Sequence, residues 1–399
     1  MTMVPELGGG VAAAVPTDDS GRSVLFVHPT DEAYGADRVL LRLATGLVQR
    51  GWRVAVLISD DQAPGWLTQR LAEASIAVER GPLAPARRRY LTPSALLAYL
   101  GALLRARRWV RSQVARFGPS VVHLNTSAML VGAILGRPGG VRVVWHVHEM
   151  VIQPRILGFV FRLAPTLTAD HVVAISRAVR NHVTPGGLGR RKVTIVWNGL
   201  EDRPGVPLDD TESPVVAFIG RLNRWKGYDV FAEAIAQIAP AFRRTRFLVA
   251  GDPPPGEEWR TNHLHESLTR FGIADRVEVL GFESDVRKLL ERVTVVVAPS
   301  TWPEPFGLVT LEAMWAGRPV IASAHGGALD LIEPGTSGLL VPPGDPAALA
   351  AAIAMLLDDP ALGTRLGAAA RRRAQTYFTR DLFVSGIERV YGAVTRYAA

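Results

Sequence analysis

Short runs of apolar residues alternate along the chain with stretches in which apolar positions recur every three to four residues. The first pattern is that of a strand buried on both faces, the second that of an amphipathic helix. In the first half, Val24 to Val27, Arg53 to Ile58, Val121 to Leu124, Val141 to His146, His171 to Ala174 and Val193 to Val196 are predicted as strands. Arg38 to Arg50, Trp66 to Ala74 and Ser94 to Phe117 are predicted as helices between them. The Pro- and acid-rich stretch Glu201 to Pro214 breaks the pattern, and a new strand, Val215 to Ile219, restarts it. Strands near Phe247 to Ala250, Val277 to Leu280, Val293 to Ala298, Pro319 to Ala322 and Gly338 to Val341 follow, then helices over Ala347 to Leu357 and Ala361 to Tyr377.

Alternation of this kind builds parallel sheets, so the fold class is α/β. The 399 residues suffice for two domains. The pattern places Rossmann-like domains at 22–200 and 215–377, a linker at 201–214, and a final helix within 378–399 that packs back on the first domain. Residues 1–21 lack the basic start and continuous apolar core of a signal peptide and read as a flexible tail. The longest apolar stretch, Ala95 to Leu104, is too short to span a bilayer.

Two compositional facts narrow the chemistry. There are no cysteines, which excludes disulfides, thiolate metal sites and a cysteine nucleophile and suits a cytoplasmic enzyme. The formal charge is +8 and comes mostly from arginine, the only lysines being Lys192, Lys226 and Lys288, so anionic partners are favoured. Arg87-Arg-Arg89 and the Arg105 to Arg116 cluster, which follows an apolar helical run, suggest reversible contact with an anionic membrane; a solvated arginine face explains them equally well. No recognition motif accompanies the charge, so nucleic acid is not expected as a partner.

The segment Phe218-Ile-Gly-Arg-Leu-Asn-Arg-Trp-Lys-Gly227 puts Arg221 and Lys226 in the loop after the first strand of the second half. Ligands bind at that edge of an open α/β sheet, and two cations there can neutralise a departing diphosphate. In Trp302-Pro-Glu-Pro-Phe-Gly-Leu-Val-Thr-Leu-Glu312, Pro305 and Gly307 hold Glu304 in a loop while Leu308 to Trp315 has a helical composition. Amides around Phe306, Gly307, Leu308 and Val309 are then free to bind an anion, and Glu312 can accept hydrogen bonds from vicinal hydroxyls. Taken singly, each glutamate is better explained as a helix-start or surface acid, and Arg221 and Lys226 as solvated surface charges.

The two motifs together, in this order and at this spacing, resemble glycosyltransferase family four, of the GT-B fold. The resemblance spans nearly the whole chain and is strongest over Val215 to Pro343, including Ala316-Gly-Arg-Pro-Val-Ile-Ala and Gly335 to Gly344. It implies a retaining enzyme that moves a sugar from a UDP- or GDP-sugar to a hydroxyl of a glycan, lipid-linked or small-molecule acceptor, with no cofactor and no obligatory metal. It further implies that Arg221 and Lys226 bind the donor phosphates, Glu304 and the amides after it the sugar, and Glu312 the ribose. The Gly281-Phe282 turn corresponds to the nucleobase pocket.

In the first half, Tyr34-Gly-Ala-Asp37 stands where the family usually has Gly-Gly-Ala-Glu, so Gly35 can still approach the diphosphate or acceptor while Tyr34 narrows the loop and Asp37 replaces the glutamate. His148 falls where the family carries an active-site histidine, and His146, two residues earlier, is expected on the same face. Asn125, Ser176 and Asn198 sit at strand ends and are expected to line the cleft. Catalytic roles therefore fall to Glu304, His148, Arg221 and Lys226, with Gly35, Asp37, His146 and Asn125 toward the acceptor. A sugar-nucleotide epimerase or hydrolase on the same fold, and a non-enzymatic sugar-nucleotide-binding protein, are the alternatives. A cytoplasmic enzyme is the expected setting, peripheral at the inner face of the cell membrane if the arginine-rich face binds lipid.

Overall fold

The computed structural model describes residues 21–86, 93–151, 155–202, 204–205 and 213–396. Residues 1–20, Arg87-Arg-Arg89 and most of the 201–214 linker lie outside the described residues. The strands are β1 (Ser23–His28), β2 (Arg53–Ser59), β3 (Ala77–Gly81), β4 (Val121–Leu124), β5 (Arg142–Val147), β6 (His171–Ala174) and β7 (Val193–Ile195), then β8 (Val215–Ile219), β9 (Arg246–Ala250), β10 (Val277–Leu280), β11 (Val295–Ala298), β12 (Val320–Ser323) and β13 (Leu339–Val341). The helices are α1 (Gly35–Gln49), α2 (Trp66–Glu73), α3 (Pro93–Phe117), α4 (Val131–Leu135), α5 (Arg155–Thr168), α6 (Arg177–Val183), α7 (Tyr228–Ile238), α8 (Trp259–Arg270), α9 (Val286–Glu291), α10 (Leu308–Ala316), α11 (Ala328–Leu331), α12 (Pro346–Asp358), α13 (Pro360–Tyr377) and α14 (Arg380–Arg396).

The strands form two parallel sheets, ordered β3-β2-β1-β4-β5-β6-β7 and β10-β9-β8-β11-β12-β13. Ser23–His28, Val121–Leu124 and Val320–Ser323 are buried at every position, because helices cover both faces. β3 is the strand that the hydrophobic pattern does not predict. Ala-Val-Glu-Arg-Gly is an edge strand that is only half buried, so it carries too little apolar signal. In both sheets the chain order reverses at the first strand, β1 between β2 and β4, β8 between β9 and β11. Loops diverge there and leave a crevice at the carboxyl ends.

α14 returns to the first domain: Phe383, Val384, Ile387, Val390 and Tyr391 join one core with Phe26, Val39 and Leu43. The crossing is fixed by backbone. Leu200 N donates to Phe378 O (3.0 Å) and Arg380 N to Leu200 O (2.7 Å). Gly199 is needed there, since a Cβ would sit 2.0 Å from Thr379 O. Among the described residues, no single helix is long and apolar enough to cross a membrane.

Candidate active site

β8 ends at Ile219, and the loop from Gly220 folds into a tight turn capped by Asn223, whose side chain accepts from Lys226 N (3.1 Å). This cap aims Lys226 across the carboxyl ends, where its ammonium pairs with the Glu304 carboxylate. Ser300 Oγ donates to the other Glu304 oxygen (3.2 Å). The Glu304 loop is clamped from outside by Gly326-Gly327. Gly327 N donates to Glu304 O (2.7 Å), and a Cβ at either glycine would lie 2.3 Å from backbone atoms of Glu304 or Phe306. Sequence reasoning missed this pair; a Gly-Gly step four residues after the strand predicted to end at Ala322 was the available signal. α10 starts at Leu308 behind Gly307, which adopts φ +99° and has no side chain to cap the helix, leaving the first-turn amides turned to the crevice.

Arg221 points the other way, toward the first domain. Its guanidinium lies 3.5 Å from the centroid of the Tyr34 ring, and one of its nitrogens is 3.5 Å from Glu32 Oε2. Tyr34 also meets Phe282 edge to face at 5.8 Å, and Arg38 donates to Ser284 O (3.0 Å). Glu312 lies on α10 with its side chain 17% exposed and Arg42 4.0 Å away. Burial pushes its carboxyl above the usual range, with Arg42 and Arg38 pulling it back only in part.

On the first-domain side, four side chains form one relay. His28 Nε2 lies 3.3 Å from Asp37 Oδ1, Asn125 Nδ2 lies 3.1 Å from His28 Nδ1, and His148 Nε2 lies 3.1 Å from Asn125 Oδ1. With neutral rings, an amide that donates to His28 must accept from His148. The relay therefore assigns the Nε2–H tautomer to His148 and leaves its Nδ1 lone pair for the crevice. Burial, with a smaller contribution from His28, lowers the His148 pKa to about 3 and keeps the ring uncharged.

Four expected cleft residues do not line the crevice. Asp37 is buried, accepting from Thr30 Oγ1 (3.1 Å) and Glu32 N (3.0 Å), because this carboxylate braces the β1–α1 loop. Asn125 is buried behind His148. His146 stacks on His148 at 4.0 Å but is fully covered, with Phe383 of α14 at 6.1 Å, and neither of its ring nitrogens has a partner. Ser176 caps α6, accepting from Val179 N (3.1 Å), so turn chemistry explains it.

A cavity of about 500 Å³ joins Gly35, His148, Arg221, Lys226, Phe282, Glu304, Phe306 to Val309 and Glu312. Gly281 is beside it rather than on its wall, its Cβ position 3.1 Å from Asp252 Oδ1. Asn198 also faces the cavity, buried, with its side-chain oxygen unpartnered. A larger cavity of about 800 Å³ continues past Phe282 and Glu312 toward Arg42 and Arg70, away from the switch-point strands. The smaller one is the candidate site because both cations, Glu304 and the α10 amides converge on it. Among the described residues, no group of three or more His, Asp or Glu could hold a metal ion.

Two Rossmann-like sheets whose switch points face one crevice define the GT-B class. Residues 213–359 match the model of "Glycosyl transferases group 1" and residues 33–203 that of "Glycosyltransferase Family 4". The chain is 30% identical to a D-inositol 3-phosphate glycosyltransferase of Acidothermus cellulolyticus, over 92% of this chain and 88% of that one. It is 36% identical to an alpha-D-kanosaminyltransferase of Streptomyces kanamyceticus, where it spans only 41% of the relative's length. The crystal structure of Anabaena HepE in complex with UDP aligns over 93% of this chain and 100% of that one, at 26% identity and a TM-score of 0.79. The chain belongs to the family four glycosyltransferases.

Proposed function

We propose that the protein transfers a sugar from a nucleoside diphosphate sugar to an acceptor hydroxyl, with retention at the anomeric carbon. The observation that carries this reading is the convergence of Arg221, Lys226 and the α10 amides on one cavity that also holds Glu304 and Glu312. Positive groups fixed in place stabilise charge most as it develops on the leaving diphosphate. Glu304, now paired with Lys226, turns to the transferred sugar once phosphate replaces it beside the ammonium. A leaving-group oxygen takes the acceptor's proton, and the His148 Nδ1 lone pair accepts a hydrogen bond from a sugar hydroxyl. The chemistry needs no cofactor. HepE has been crystallised with UDP-glucose, which supports a donor of this type. Screening uridine and guanosine diphosphate sugars for binding and slow hydrolysis tests the proposal. Failure of all of them would overturn it, and the anomeric configuration of the product decides retention.

The acceptor reading extends to lipid-linked substrates at the inner face of the cell membrane. Support comes from α3, where Leu97 is 73% exposed and Leu100 and Leu104 about half exposed on one stripe, followed by exposed Arg105 and Arg108. Arg107, Arg111 and Arg116 are engaged within the domain, with Ile134 O, Leu135 O and Glu79, so only part of the arginine cluster is available. Cosedimentation with anionic vesicles at low salt, and its loss in Leu100→Glu, checks this surface.

A further inference from the structure

We infer that Tyr34 is a positioning residue for donor binding: its ring holds the Arg221 guanidinium flat, so that the edge of the guanidinium faces the diphosphate. The inference rests on the donor reading above. A guanidinium stacked on an aromatic face keeps its N–H groups in plane and free for two parallel bonds to phosphate oxygens. That geometry is present here, with the Arg221 carbon 3.5 Å from the Tyr34 centroid. One guanidinium nitrogen meets a carboxylate, Glu32, at 3.5 Å, the kind of group a phosphate oxygen would displace.

The ring is presented from a rigid platform. Asp31, buried at the start of the loop, accepts from Gly65 N (2.8 Å), Thr68 N (2.8 Å) and Arg80 (2.5 Å). Asp37, buried at its end, accepts from Thr30 and Glu32 N. Tyr34 itself caps α1 in extended conformation, its carbonyl accepting from Arg38 N (2.9 Å). The ring also meets Phe282 in an edge-to-face contact at 5.8 Å, so Tyr34 bridges the two donor-domain loops after β8 and β10. A glycine at this position would leave Arg221 to orient itself. The tyrosine makes the first domain part of the phosphate site, and phosphate binding then requires the two domains to be close.

The test is titration of UDP, GDP and the parent nucleosides against the wild type, Tyr34→Phe and Tyr34→Ala, each checked by thermal melting. If the wild type binds neither diphosphate, the donor reading fails and this inference with it. Given binding, Tyr34→Phe is expected within roughly twofold of wild type, and Tyr34→Ala is expected to weaken the diphosphate about tenfold while leaving the nucleoside unchanged, the scale of a desolvated cation–π contact. In the Arg221→Ala background, Tyr34→Ala should have no further effect. An equal loss of nucleoside affinity, or an undiminished effect without Arg221, would overturn the inference by making Tyr34 a base-stacking residue.

Discussion

Lys226 and Glu304, from loops after β8 and β11, neutralise each other across the floor of the crevice, each side chain only 18% exposed. A partly buried pair of this kind is worth about 1 kcal/mol, and loss of one partner strands the other. Lys226→Ala and Glu304→Gln are each expected to cut turnover about a hundredfold or more. The double variant should lose much less than the product of the two, as coupled residues do. Steady-state kinetics of the three variants checks this, and independent, multiplicative effects would show that the pair does not act as a unit.

Glu312 should contribute to donor binding rather than to chemistry. Glu312→Ala is expected to raise the donor KM about tenfold, the equivalent of about 1.4 kcal/mol, with kcat changed little. A 2′- or 3′-deoxyribose donor should show the same penalty on the wild type and none on the variant. Equal affinity of both proteins for the normal donor would place the ribose elsewhere.

The buried histidines make stability fall on the acid side. Burial, with weaker repulsion from neighbouring imidazoles, holds His123, His146 and His148 below the ordinary imidazole value of 6.5, His148 at about 3. The unfolded chain therefore binds protons that the folded chain refuses, and stability rises with pH across that interval. The contribution is complete well above pH 6.5 and is lost progressively as pH falls through 6.5 toward about 3. Urea unfolding at pH 7.5, 6.5 and 5.5 should show a small loss in the first step and a larger one in the last. His146→Leu, which removes a ring with two unpartnered nitrogens, should make that step shallower.

Gly199 tests the domain crossing. With Thr379 O only 2.0 Å from its Cβ position, Gly199→Ala forces two backbone segments apart and is expected to cost about 3 kcal/mol or more. A lowered urea midpoint with unchanged slope reports it. Full stability would mean that the α13–α14 junction yields easily.

The paired Gly326-Gly327 step makes a sharper prediction for the site. Gly327→Ala pushes on the Phe306 backbone at 2.3 Å, next to the anion-binding amides. Donor affinity should drop at least tenfold even where the variant melts near the wild-type temperature. Equal affinity would show that the loop does not set the amide geometry.

The sequence by itself determined the two parallel α/β domains, the loop positions of Arg221 and Lys226, and Glu304 ahead of a helix that carries Glu312. Those properties depend on residues close together in the chain: apolar period, turn formers and helix starts. β3 escaped because an edge strand faces solvent and needs no apolar run. Only the tertiary structure decided that His146 is sealed off while His148, two residues on, reaches the cavity, since the cover is Phe383 from the last helix. It likewise decided that Asp37 braces a loop, that Gly326-Gly327 clamp Glu304, and that Tyr34 of the first domain lies flat on Arg221 of the second. All but the Asp37 brace, which closes within one loop, are contacts between separate elements of the fold. Local pattern sets which face a side chain takes; what packs against that face is set by the long-range docking of helices and domains.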